Sequence, residues 1–261
     1  MQKIGTLLLC ALPIALSACG GKSGGDTAQS RQQDMEAAQQ ETARRIAATQ
    51  HLDYPVKQAM QAILTRDEKL IKCMEGEVEI SNQNAEKIGG VVELHTTAMA
   101  PTTYEGAPAE HNTFKLSGPL KVPGTSRDIP MNISFTDYYG ANLDFLGFNS
   151  STVYCAAAKS PGYPVSLKIG ARGSIASFDC YSDATKSVHT GHAEIGYLTH
   201  PGKDDAMLFW EYRKYQPDHD KHTYEVSRIF KIKTNGHISL AGMSVLTSGG
   251  ADNMNVGALS E

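Results

Sequence analysis

The sequence predicts an α+β fold that is mostly antiparallel β. One N-terminal helix packs on the sheet, and a helical or disordered stalk precedes it. Three observations carry this. From Glu77 onward, apolar and polar residues alternate with a period of two, as in Met131-Asn132-Ile133-Ser134-Phe135. That is the signature of half-buried strands with one face in the core and one in water. Gly and Pro clusters interrupt these runs at short intervals, as in all-β bodies. Only one clear apolar stripe at helical spacing occurs, over about 55–72, so a parallel doubly wound sheet is not indicated. Sandwich, open barrel and curved sheet all satisfy the pattern.

The elements follow in chain order. Lys3 precedes a short apolar run, Leu7-Leu8-Leu9-Cys10-Ala11-Leu12, and then Leu16-Ser17-Ala18-Cys19. The run is shorter than the about 20 residues that span a bilayer. A basic start, a short apolar core and small residues before a cut describe a removable secretory signal. The Leu-Ser-Ala-Cys stretch closely resembles the lipobox of bacterial lipoproteins. The resemblance covers residues 1–19 and implies removal of 1–18 and a diacylglyceryl thioether on Cys19. Two acyl chains suffice for stable anchoring. Gly20 at the next position implies sorting to the cell outer membrane.

Residues 19–50 are expected to form the lipidated Cys, a flexible Gly/Ser tether and a polar stalk helix. Glu41 and Arg45 stand at i,i+4 on that helix. Residues 51–248 are expected to form the globular domain. Its leading helix has Asp53 as cap and Pro55 in the first turn. Val56, Met60, Ile63, Leu64, Leu70 and Ile71 supply its apolar face. Strands are expected around 131–135, 165–169, 193–197, 208–212 and 230–232. Leu208, Trp210 and Tyr212 mark the apolar face of the fourth.

Two hairpins can be registered. A three-residue loop, Thr234-Asn235-Gly236, pairs Ile232 with Ile238 and Phe230 with Leu240, with Gly236 in a left-handed turn position. A second hairpin sets Val165–Ile169 against Ser174–Cys180. Residues 98–112 and 118–130 read as loops, and 249–261 as a loose tail. Ser151 can cap a short helix through Ala156-Ala157-Ala158, or Val153 and Tyr154 can sit in a strand.

A net charge of −4 over 261 residues carries no nucleic-acid footprint. Of five Cys, Cys73, Cys155 and Cys180 remain after Cys10 and Cys19 are set aside. An envelope compartment favours disulfides. Cys155 and Cys180 are the expected pair, with Cys73 a buried thiol. In a meander that includes 163–169, two strand spacings would separate the pair, so the bond calls for residues 152–158 as a helix over the sheet.

No nucleophile elbow, phosphate loop or CxxC pair is present. His219 and His222, flanked by Asp218 and Asp220, are the candidate metal ligands, in a charged hairpin tip. His192, Glu194 and His200 share strand parity and point away from the core, with His189 nearby. Tyr138 and Tyr139, before Gly140, are the candidate interface residues. No catalytic residue and no cofactor beyond the lipid is expected. The expected function is a non-enzymatic binding module, anchored to the membrane through Cys19 and directed at a protein or envelope component. An inhibitor or immunity-type lipoprotein and a metal- or ligand-capturing one are the alternatives.

Overall fold

The computed structural model describes residues 28–79, 85–122, 128–249 and 253–259. The leader, Cys19 and the start of the tether lie outside the described residues. Two helices come first, α1 (Ala28–Thr49) and α2 (Val56–Leu64). The strands are β1 (Glu68–Glu79), β2 (Glu86–Thr96), β3 (Ala100–Tyr104), β4 (Ala107–Lys121), β5 (Asp128–Tyr139), β6 (Phe145–Ser150) and β7 (Tyr154–Lys159). They continue with β8 (Arg172–Tyr181), β9 (His189–Pro201), β10 (Met207–Pro217), β11 (Thr223–Ile232), β12 (Ile238–Ser248) and β13 (Asn253–Leu259).

Among the described residues, all thirteen strands belong to one antiparallel sheet. β4 to β13 pair in sequence order, β13 pairs with β1, β1 with β2, and β2 with β4. The ladder therefore closes on itself, and β3 stands outside the ring as an extension beside β4. Closure gives β1, β2 and β13 a partner on each side and leaves β3 as the edge. β3 is short and carries Pro101, two features that blunt an edge strand.

The inner face is mostly apolar. Met74, Leu94, Phe114, Leu116, Phe178, Ile195, Phe209 and Met243 are all fully or almost fully buried. The outer face carries Lys69, Glu75, Glu93, Lys115 and Asn132, exposed or half-exposed. This polarity is the reverse of a barrel that spans a bilayer, whose outer band is apolar.

α2 buries Val56, Ala59, Met60, Ile63 and Leu64. It lies across the end of the barrel where β1 begins and β2 ends. The Met99 amide donates to Leu64 O at 2.7 Å, and the Lys57 amide to Pro164 O at 3.1 Å. Tyr54 forms an isolated bridge with Leu167 and donates its hydroxyl to Asp205 O. α1 packs on β9 near its end, where Thr49 is buried, and its residues 39–48 are exposed or half-buried. Glu41 accepts from Arg45 Nε at 2.8 Å, the expected i,i+4 pair, and also from Arg44.

Several expectations are corrected. The leading helix ends at Leu64, not near residue 72. Leu70 and Ile71 lie in β1, where a period of two fits Glu68–Glu79 equally well. Asp53 does not cap the helix; Pro55 occupies that position with no side-chain hydrogen bond. Residues 98–112 are not a loop but β3 and the start of β4. Of 118–130, the stretch 123–127 lies outside the described residues and the ends belong to β4 and β5. Residues 163–169 form no ladder strand. The segment crosses the barrel end instead, and β7 occupies the place beside β8. Residues 253–259 are not a loose tail but the strand that closes the ring. In β10 the alternation is real but its phase is opposite. Met207, Phe209, Glu211 and Arg213 are buried, while Leu208 and Trp210 join Ile229, Ala241 and Leu259 in a small outer cluster.

The Ile232–Ile238 hairpin has the expected register, with Phe230 opposite Leu240 and Gly236 at φ +82°. The Cys155–Cys180 disulfide is present. It forms between directly opposed residues of β7 and β8, with Cα atoms 4.0 Å apart, and no helix is involved. The segment that leaves the meander is 163–169 rather than 152–158. Cys73 is not a buried thiol. It is half-buried on β1 and disulfide-bonded.

Candidate functional site

The barrel interior holds a set of charged residues. Asp137 on β5, Glu211 and Arg213 on β10 and Arg228 on β11 are all buried. Alternation along three strands points them inward at one level. Arg213 pairs with Asp137, and Arg228 with Glu211. Arg228 Nε donates to Glu211 at 3.0 Å, and its Nη2 lies 3.8 Å from Asp137. Tyr163 donates to Glu211 at 2.5 Å, and Tyr139 to Asp137 at 3.4 Å. Arg213 lies between two rings, 4.0 Å from the centroid of Phe135 and 4.1 Å from that of Phe148. Those ring faces satisfy a guanidinium whose Nε and Nη1 make no hydrogen bond.

Two cations and two carboxylates balance in charge, which makes this burial tolerable. Burial pushes the Asp137 carboxyl above its ordinary range against the pull of Arg213 and Arg228. Burial, with Asp137 next, raises the Tyr139 phenol; burial, with Glu211 next, raises that of Tyr163. For Arg228, burial acts downward, but Glu211 and the other acidic neighbours outweigh it and hold the guanidinium well above its usual value. Asn112, fully buried opposite Asp137 in the β4–β5 register, makes no side-chain hydrogen bond. The geometry makes this set an interior clamp among β5, β10 and β11. Local sequence signals missed it because Arg and Glu in a strand read as the wet face.

The outer surface offers an open groove of about 540 Å³. The tip of the β3–β4 hairpin folds over β6 and β7. Tyr104 donates to Cys155 O at 3.1 Å, and its ring stacks on Tyr154 and tilts against Tyr138. Gly147 makes this approach possible, because a side chain there would collide with the Tyr104 phenol. Glu105 at the tip accepts from Tyr154 at 3.0 Å and pairs with Lys186. Burial, then the hydrogen bond with Tyr154, raises the Tyr104 phenol. Phe145, Leu146, Ala157 and Ala158 line the groove, with Glu105, Asp144 and Lys159 among its polar residues.

Of the two interface candidates, Tyr138 is half-buried beside Tyr104 and receives a hydrogen bond from Asn149. Tyr139 is fully buried against Phe145 and has no surface for a partner. It faces inward because the pair lies in β5, where neighbours alternate, and not in a turn.

The metal candidates are also redistributed. His222 bonds Asp220 at 2.5 Å, and His219 is exposed; among the described residues they do not gather with a third ligand. The grouping that does form is Asp179, His189 and His192, with candidate ligand atoms all within 4.8 Å of one another. His200 packs instead on Trp210, at 5.9 Å between centroids. Parity counting separates His189 from His192. A bulge in β9 restores them to one face: Tyr181 pairs with His189 and Cys180 with Gly191, leaving Thr190 as the extra residue. Re-aiming a side chain is what a bulge does.

Among the described residues, no helix is long and apolar enough to cross a membrane. No family model, curated protein or solved structure matches the chain.

Proposed function

We propose that this chain is an envelope lipoprotein whose β-barrel acts as a non-enzymatic binding module, tethered through Cys19. The observation that carries the reading is the groove under the β3–β4 hairpin. It combines an apolar lining, Phe145, Leu146, Ala157 and Ala158, with acidic and basic groups. Binding sites have this composition. The interior is filled by packed side chains, so recognition falls to the outer surface. The polar α1, exposed or half-buried over its residues 39–48, supports the reading as a spacer between anchor and barrel. The partner it fits is a protein segment or envelope component that offers an apolar contact and a charged group.

The test is site-specific photo-crosslinking from Leu146 and Ala158 in intact envelopes. One discrete adduct, lost with Tyr104→Ala, supports the reading. Absence of any adduct from both positions overturns it. Anchoring is tested separately. Labelled palmitate should enter the native chain and not Cys19→Ala, and incorporation into that variant would refute the anchor.

A further inference from the structure

The groove is not the most specific constellation on the outer face. At the end of the barrel away from α2, two imidazoles and two carboxylates converge. His192 Nδ1 lies 3.0 Å from Asp179 Oδ1, and His189 Nε2 lies 4.0 Å from the same oxygen. The two imidazole rings are 4.8 Å apart. His189 Nδ1 is engaged by Asp218 Oδ2 at 2.6 Å. We propose that Asp179, His189 and His192 bind a divalent first-row transition-metal ion, with Asp218 orienting His189. The proposal does not rest on the groove.

Three features argue for a built site rather than a chance surface contact. The first is the ligand chemistry. Imidazole with carboxylate suits zinc and its neighbours, and three protein ligands leave a fourth position open. Bond lengths of about 2.0–2.1 Å place ligand atoms about 3.4 Å apart in a tetrahedron. A group within 4.8 Å needs to contract by about 1.5 Å at most, which side-chain rotation supplies for residues at the surface.

The second feature is Asp218. A metal-bound His almost always donates its other ring N–H to a carboxylate or carbonyl, which sets the tautomer and ring orientation. Asp218 holds Nδ1 of His189 and leaves Nε2 turned toward Asp179. A hydrogen bond from the Asp218 amide to Thr190 O, 3.0 Å, ties this carboxylate to the bulge.

The third is the backbone. Gly191 sits at φ +154° beside the extra residue of the bulge, and a side chain there would collide with Gln216 O. The bulge therefore needs glycine at that position, and without the bulge His189 and His192 would lie on opposite faces. Tyr181 packs edge-on against His189 and limits its rotation. In the hairpin tip itself, His222 is held by Asp220 and is not drawn into this corner.

The test uses the full chain in detergent, stripped with chelator and titrated with Zn2+ by calorimetry. The expected result is one ion per chain. His192→Ala and Asp179→Asn should each weaken binding at least tenfold. Asp218→Asn, which touches no metal, should weaken it by about 10- to 100-fold. His219→Ala combined with His222→Ala should leave affinity unchanged. Co2+ in place of Zn2+ should give visible absorption that His189→Ala abolishes. These residues are exposed or half-buried, and unchanged circular dichroism of the variants establishes that they fold. No Zn2+ binding, or binding lost in the His219/His222 double variant but kept in His192→Ala, overturns the proposal.

Discussion

Glu211 and Arg228 stand opposite each other on β10 and β11 and pair inside the barrel, with 4% and 3% of their side-chain surface exposed. Tyr163 donates to the same carboxylate from the segment that crosses the barrel end. Removing one charge would leave the other buried and unpaired. Arg228→Met should therefore cost about 3–5 kcal/mol, and Glu211→Leu added to it should recover part of that loss. Urea midpoints of the two variants check this. A single variant within about 1 kcal/mol of the native chain would show that the pair is solvated.

His200 makes stability depend on pH. It packs on Trp210, and burial lowers its pKa below the ordinary 6.5. The unfolded chain then binds more protons than the folded one below that value, so stability falls as pH drops from about 6.5 toward the folded pKa. His200→Phe should flatten this part of the stability–pH curve. An unchanged slope in the variant refutes the assignment.

The Cys155–Cys180 bridge closes a loop with a sequence separation of 25. On the chain-entropy relation, its loss should cost about 3.5 kcal/mol. Thermal melts of the Cys155→Ala, Cys180→Ala double variant against the native chain measure this. Non-reducing peptide mapping should link the same two residues, and finding either joined to Cys73 would contradict the register.

β13 closes the ring, so its integrity should matter more than its position near the chain end suggests. Val256→Asp places a carboxylate at a position 1% exposed between β1 and β12. It should cause the loss of cooperative unfolding, whereas Asn255→Thr on the outer face should be nearly neutral. Equal effects from the two would mean that the strand does not alternate as described.

Gly147 tests the groove's architecture. Gly147→Val should expel Tyr104 from its seat on β6 and expose the β3–β4 hairpin to limited proteolysis. Gly140→Ala, whose added carbon meets only the flexible end of Leu146, should not. Equal protease resistance in both variants would show that the hairpin is held elsewhere.

The strand-rich class, a packed helix that starts near Pro55, the Ile232–Ile238 register and the pairing of Cys155 with Cys180 were legible in the residues alone. Those features rest on local physics. Residue periodicity selects strand or helix, and Asn235-Gly236 selects a turn whose length the apolar match then sets. Tertiary structure decided what depends on distant partners. Residues 165–169 alternate well yet find no ladder, while Asn253–Leu259 alternate weakly and become a strand because β1 and β12 supply partners on both sides. Glu211 and Arg213 read as solvent-facing, and only closure of the ring turns their face inward against Asp137 and Arg228. A single extra residue at Thr190 reverses parity and brings His189 beside His192. Closure and bulging are properties of the whole ladder, so no window along the chain contains them.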